Sequence, residues 1–421
     1  MMIRTAQRPI PTIHPEGIKP RLEAIEEEAI ALFKSINRSG TYFLGPHVQQ
    51  LETTMEHTWN IQRAIGTSSG TAALYLVYRA LQERLIRDKV AVRDPGTGLV
   101  VLPGKNGKAA TRPALVTTPL SSIATCYEAS EAGYDLVFAD IDPRTYTLNP
   151  QQVRRAFDTH ANIVAIVPVH LYGQPADMAS LLDIAQEKGV RVIEDAAQAI
   201  GATSPMDGHM HYVGSQSFMA ITSFYAGKVI GCTGDAGAAF TSDPEMVEVL
   251  RAARDQGRLP AEQYVHHDAG GKYRMREFDA AVVALQLRSF PAWYARRYEI
   301  AQRYLAELGD LVGLTPPQVS YDTVWYKFPI LAKDAQARER LALHLEQLGV
   351  KTEQVYPALI PSQPLYRQGR SPCSWIGQLP VAQDVTRRLL CLPMHEFLGD
   401  HDVTQVIRAT QEAAQWCAAR I

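Results

Sequence analysis

Three short segments carry side chains whose chemistry follows from their type and setting. The first is Gly66-Thr67-Ser68-Ser69-Gly70-Thr71-Ala72-Ala73, between an apolar run of strand length and a long stretch of helical periodicity. Small residues let the backbone approach an anion, first-turn amides have no intrahelical acceptor, and the hydroxyls of Ser69 and Thr71 add donors, so this segment can hold a phosphate. It can equally be a serine-rich helix cap. The second is Val192-Ile193-Glu194-Asp195-Ala196-Ala197-Gln198. A carboxylate directly after a buried strand needs a cation or donors beside it, and a protonated ring nitrogen is one such cation. The alternative is that Asp195 caps the next helix. The third is Ser223-Phe224-Tyr225-Ala226-Gly227-Lys228, followed by the glycine-rich run 231–237. Lys228 stands among apolar and glycine residues, where loss of hydration lowers an amine's pKa and frees it as a nucleophile. A lysine reaching out to solvent is the competing reading.

The elements around these segments alternate. Strand-length runs at 64–66, 114–117, 136–139, 163–169 and 190–193 precede or follow helical stretches at 70–86, 123–132, 150–157 and 178–188. Such alternation predicts a mostly parallel sheet covered by helices on both faces, with ligands at the carboxyl ends of its strands. Asp195 and the 66–69 segment fall at such ends. Residues 87–112, rich in Gly, Lys, Arg and Asp, break the rhythm and read as a surface insertion with a hairpin around 99–102. Beyond residue 290 a linking helix over 293–308 leads to a smaller α+β unit, with a strand over 325–331 and a helix over 335–348. The division is therefore 1–290 and 291–421.

In this order and spacing the three segments resemble the DegT/DnrJ/EryC1/StrS family of sugar aminotransferases, enzymes dependent on pyridoxal phosphate with the aspartate-aminotransferase fold. The resemblance runs from Ser39-Gly40-Thr41-Tyr42-Phe43-Leu44-Gly45-Pro46 to Leu392-Pro393-Met394-His395. Between them stand Val137-Phe138-Ala139-Asp140-Ile141-Asp142-Pro143 and Pro168-Val169-His170-Leu171-Tyr172-Gly173-Gln174-Pro175-Ala176-Asp177-Met178. It implies that Lys228 binds the cofactor aldehyde covalently and later moves a proton between the substrate carbon and the cofactor. It implies that Asp195 pairs with the pyridinium nitrogen, that Gln198 lies near the phenolic oxygen, and that Ser69, Gly70, Thr71 and Ser223 hold the phosphate. The segment 270–278 resembles a loop that reaches the neighbouring subunit's site in a homodimer, with Lys272 where an asparagine is common. Three departures stand out. Ser122 occupies the place of a ring that stacks on the cofactor, so stacking would come from elsewhere, the insertion included. Ile360-Pro361-Ser362 occupies a region where a histidine is frequent. The insertion itself is the third.

Composition narrows the rest. Hydrophobic residues make up 46% of the 421 and charged residues 20%, ordinary for a globular chain. Lys and Arg number 42 against 44 Asp and Glu, a net charge of −2, so no strong field favours nucleic acid or an anionic membrane. No apolar run reaches spanning length and no Cys-x-x-Cys occurs among the five cysteines, which predicts a cytoplasmic protein without a zinc ribbon. His209 with His211, and His266 with His267 and Asp268, lack further ligands at metal spacing. Arg21 with Glu23, Glu26, Glu27 and Glu28 reads as a solvated helix face, and Trp293, Tyr294 and Tyr298 as packing. The expected activity moves an amino group from an amino acid, glutamate or glutamine, to the ketone or aldehyde of a sugar, cyclitol or secondary-metabolite intermediate. A lyase or dehydratase of the same family, whose dehydratases have histidine at the lysine position, and a non-catalytic regulator on the same fold are the rivals.

Overall fold

The computed structural model describes residues 12–104, 109–258, 264–319, 321–369, 373–375 and 378–418. A central sheet of eight strands runs in the order 63–67, 237–241, 219–223, 191–195, 163–167, 114–117, 135–138 and 373–375. All neighbouring pairs are parallel except those of Gly237–Thr241, which is antiparallel to both its neighbours. Strands of the parallel part are continuous apolar runs such as Ile163–Val167, as expected of a sheet covered on both faces. On one face Val77, Leu81, Leu115, Phe138 and Ile221 share a core; on the other, Leu51, Trp59, Phe224, Phe240 and Val283 form a second. The expected helices appear as Gly70–Arg87, Ile123–Glu131, Pro150–Thr159 and Met178–Lys188.

Three expectations are corrected. The linking helix starts sixteen residues earlier than 293 and runs unbroken over Glu277–Leu308, with Pro291 inside it. The ring removes one hydrogen bond, but Val282, Val283 and Leu285 before it and Ile300, Tyr304 and Leu308 after it are buried in two different cores, and that burial outweighs the loss. The small-unit strand is Phe328–Ala332 and not 325–331, because the preceding residues are held by the 171–173 turn: Val324 N donates to Gly173 O and Lys327 N to Tyr172 O. Arg21 is no solvated residue. It is 2% exposed and paired with Glu396, while the glutamates around it face solvent. Of the three aromatics, Trp293 packs on Phe397 and Tyr294 on Phe290, but Tyr298 is exposed.

The insertion forms a small hairpin, Val92–Arg93 with Val100–Val101, at the C-terminal end of helix Gly70–Arg87. Eighteen residues of helix, about 27 Å, separate it from the 66–70 segment. The small unit has a three-stranded antiparallel sheet in the order 314–315, 328–332, 389–392, packed on helices Ala335–Gln347 and Asp400–Ala418. Among the described residues no helix is long and apolar enough to cross a membrane.

Candidate active site

The site lies at one edge of the sheet, where strands Arg63–Thr67, Arg191–Asp195 and Met219–Ser223 end and Gly237–Thr241 begins. Register fixes the neighbours: Ile221 lies opposite Asp195, and Gly237 lies opposite both Thr67 and Ser223. Three segments far apart in sequence thereby meet.

The 66–71 segment caps its helix, one of the two readings the sequence allowed. Ser69 caps the helix, its hydroxyl accepting from Ala72 N at 3.0 Å. The Gly70 and Thr71 amides of that first turn remain without intrahelical acceptors. Two glycines permit this placement. A Cβ on Gly70 would come within 2.7 Å of Ser223 Cβ, and one on Gly237 within 2.5 Å of Gly70 N. Helix start, strand end and Ser223 are thus packed backbone to backbone, a cradle that any larger residue would fill. Ser223 Oγ accepts from Tyr225 N at 3.3 Å and keeps its proton for another acceptor. The donor set suits a phosphate.

Asp195 is 4% exposed. Thr125 Oγ1 donates to its Oδ2 at 2.7 Å and Ala197 N to its Oδ1 at 3.1 Å. Among the described residues no Lys, Arg or His forms an ion pair with it, so a buried carboxylate is left with neutral donors and the field of Lys228. That arrangement fits a protonated pyridine nitrogen. The Ala197 bond caps a turn over 197–201 and not a helix, so Asp195 is no helix cap. Behind it lies a second buried pair. His170 Nε2 donates to Glu194 Oε2 at 2.9 Å, while Ala176 N donates to His170 Nδ1 and Gly214 N to Glu194 Oε2. Accepting at Nδ1 fixes the neutral Nε2–H tautomer. His170 N donates to Asp195 O, tying the 168–176 segment to the strand end.

Lys228 is held by its backbone. Its N donates to Tyr225 O, and the Arg21 guanidinium donates to the carbonyls of Ala226 and Lys228. The half-buried side chain places Nζ 4.9 Å from the centre of the Tyr326 ring. Loss of hydration, opposed by Asp195 and helped by Lys327, lowers its pKa from 10.5 to about 8. At neutral pH a useful fraction of the amine is free, as a nucleophile requires. Gln198 spends both ends of its amide within the protein: Oε1 accepts from Tyr172 N and Nε2 donates to Tyr356 Oη.

Lys272 is exposed on the segment bridging Asp255, and the structure does not bring it to Lys228 or Asp195. Ser122 is the cap of helix Ile123–Glu131. The insertion cannot supply a ring beside it, since residues 87–112 contain no aromatic residue and the hairpin lies at the distant helix end. Among the described residues no group of three or more His, Cys, Asp or Glu is placed to hold a metal ion.

Several residues were missed in the sequence. Thr125 stood in the Ala124-Thr125 pair beside the departure at Ser122, and its hydroxyl was the available signal. Arg21, Arg297 and Glu396 form a buried cluster, with Arg21 Nε and Arg297 Nη2 each 2.7 Å from Glu396. It joins the N-terminal segment, the long helix and the Leu392-Pro393-Met394-His395 turn to the Lys228 loop. Glu277 accepts from the amides of Gly45, His47 and Val48, joining the 39–46 and 270–278 segments.

A sequence profile of the DegT/DnrJ/EryC1/StrS aminotransferase family matches residues 23–94 and 97–411. The chain is 32% identical over 400 residues to a dTDP-3-amino-3,4,6-trideoxy-alpha-D-glucose transaminase of Streptomyces venezuelae, covering 94% of this chain and 95% of that one. It is 30% identical over 398 residues to a UDP-2-acetamido-2-deoxy-3-oxo-D-glucuronate aminotransferase of Pseudomonas aeruginosa, covering 93% and 98%. The crystal structure of S. venezuelae DesV in complex with a ketimine intermediate superposes with a TM-score of 0.83 at 31% identity, covering 96% of this chain and 99% of that one.

Proposed function

The chain belongs to the DegT/DnrJ/EryC1/StrS aminotransferase family, and from that premise we propose that it moves the amino group of an amino acid, glutamate or glutamine, to a carbonyl carbon of a sugar intermediate. It is an aminotransferase dependent on pyridoxal phosphate. The observation that carries the reading is the placement, beyond the ends of adjacent parallel strands, of a lysine of lowered pKa in the field of a buried carboxylate that has no ion-pair partner among the described residues.

When bound, pyridoxal phosphate supplies an aldehyde that takes up an amine and a ring that stores an electron pair. Lys228 Nζ, free of its proton, would hold the aldehyde carbon, and its amine would serve as the base that takes a proton from the donor carbon and as the acid that returns one to the acceptor carbon. Asp195, braced by Thr125, keeps a proton on the ring nitrogen. Gly70 and Thr71 amides with the Ser223 hydroxyl bind the phosphate. Gln198 fixes Tyr172 and Tyr356 at the cofactor's flank. Lys228 itself speaks against the dehydratase branch, whose members resemble this chain but carry histidine there.

The large unit is 1–290 and the small one 291–421, the junction lying inside helix Glu277–Leu308. The protein is a homodimer in the cytoplasm. An apolar groove of about 600 Å³ between Ile18, Leu22, Ile25, Ile30, Phe33 and Phe278, with Tyr42 and Phe43 exposed nearby, supports the dimer. In that assembly exposed Lys272 reaches the partner's phosphate. All five cysteines are free, which agrees with a reducing compartment.

The test is a pair of half-reactions. Glutamate or glutamine added to the cofactor-loaded protein should move its visible absorption to the near ultraviolet, and a keto-sugar nucleotide should restore it. Absence of any response to amino donors would overturn the reading.

A further inference from the structure

Lys327 is a charged side chain that the reaction described above does not use. It is 3% exposed, on the approach to strand Phe328–Ala332 of the small unit. Its ammonium lies 2.8 Å from Glu16 Oε1 and 2.6 Å from Glu353 Oε2. The same ammonium is 5.1 Å from the centre of the Tyr326 ring, and the Lys228 ammonium is 4.9 Å from that centre. Two lysines therefore share one aromatic ring. The Glu16 carboxylate also touches the lysine loop, lying 3.3 Å from where a Cβ on Gly227 would stand.

The three groups come from three parts of the chain. Glu16 belongs to the N-terminal segment, which is anchored by Arg21 on the Lys228 carbonyl and by Ile13 on Val350. Lys327 follows the Tyr172-bound turn, and Glu353 pairs by its backbone with Cys391. None of the three touches the ring-nitrogen or phosphate sites.

We propose that Lys327, clamped between Glu16 and Glu353 on the Tyr326 ring, is a positioning residue that sets how readily Lys228 gives up its proton. The cluster carries two negative charges and one positive, a net −1 beside the reacting amine. At the amine Lys327 outweighs Glu16, whose carboxylate would otherwise hold the Lys228 proton, and the two glutamates keep Lys327 ionised in a buried place. The charged groups facing Lys228 are Asp195 from the sheet, Glu16 and Arg21 from the N-terminal segment, Lys327 from the small unit and Glu353 beyond it. The proposal rests on Lys228 being the reacting amine.

The experiment is competitive labelling of the full chain, freed of cofactor, with trace acetic anhydride across pH 6–10, quantified by peptide mass spectrometry. Lys89, exposed just beyond helix Gly70–Arg87 and outside the apolar groove, is the internal standard. In the native protein Lys228 should react with a midpoint near 8. Lys327→Met leaves −2 beside it, and labelling at pH 7.5 should fall by about threefold, the effect of a half-unit rise in midpoint. Glu16→Gln removes the carboxylate that faces Lys228 while Glu353 keeps Lys327 ionised, so the field at the amine becomes more positive and labelling should rise. Lys327→Arg should restore native behaviour. Loss of packing alone would open the site and move both variants in one direction. Shifts in the same direction, or an unchanged midpoint in either variant, overturn the proposal, and Glu16→Gln decides it should Lys327→Met fail to fold. A native Lys228 no more reactive at pH 7.5 than Lys89 would instead count against the active-site reading itself.

Discussion

Replacing Lys228 by methionine should make the cofactor-free protein more stable at neutral pH while abolishing turnover. The sign follows from the lowered pKa. Burial brings Lys228 from 10.5 to about 8, so between these values the unfolded chain holds a proton that the folded chain has released. Stability of the native protein therefore rises with pH across that window, and below it the buried ammonium costs the full amount. At 1.36 kcal/mol per pKa unit that cost is about 3 kcal/mol at pH 7, shrinking to about 1 kcal/mol at pH 10. Methionine keeps the length of the side chain without its charge. For a chain of 421 residues, about 3 kcal/mol corresponds to a rise of about 3 °C in unfolding midpoint. The assay is paired unfolding of both proteins, cofactor-free, at pH 7 and pH 10. A Lys228→Met protein no more stable than the native one at pH 7, or a gap that ignores pH, would refute the claim that the site holds an amine against its hydration.

Asp195→Ala should cut turnover far more than stability, and turnover at the native level would end the assignment of this carboxylate to the ring nitrogen. Thr125→Val removes a 2.7 Å bond to that carboxylate; loss of a charge-assisted bond of about 2 kcal/mol should weaken cofactor binding by more than tenfold in a folded protein, as equilibrium dialysis can measure. Gly237→Ala places a Cβ 2.5 Å from Gly70 N, so it should push the helix start away from Ser223 and lower affinity for pyridoxal phosphate more than for dephosphorylated pyridoxal. Equal losses for the two forms would contradict the phosphate cradle.

The sheet and the three segments were legible because their signals are local. The apolar run 163–167 is a strand whichever neighbours it has, and Ser69 caps its helix through a residue three positions on. Lys228 was legible as an amine without neighbouring charge. What escaped reading is carried by contacts between distant residues. Arg21 lies among glutamates in sequence, yet its partner is Glu396, 375 positions away. Thr125 and Asp195 are 70 apart, and Lys327 finds Glu16 at 311. The early start of helix Glu277–Leu308 escaped because Pro291 is a strong local stop signal, and only burial in two cores on either side of it overrides that signal.

The central claim is that the Lys228 amine holds the cofactor. Borohydride reduction of the loaded protein, followed by peptide mass spectrometry, tests it most directly. The account predicts a phosphopyridoxyl mass on the peptide containing Lys228 and none after Lys228→Ala. The same modification found chiefly on another lysine, or undiminished in the variant, would contradict it.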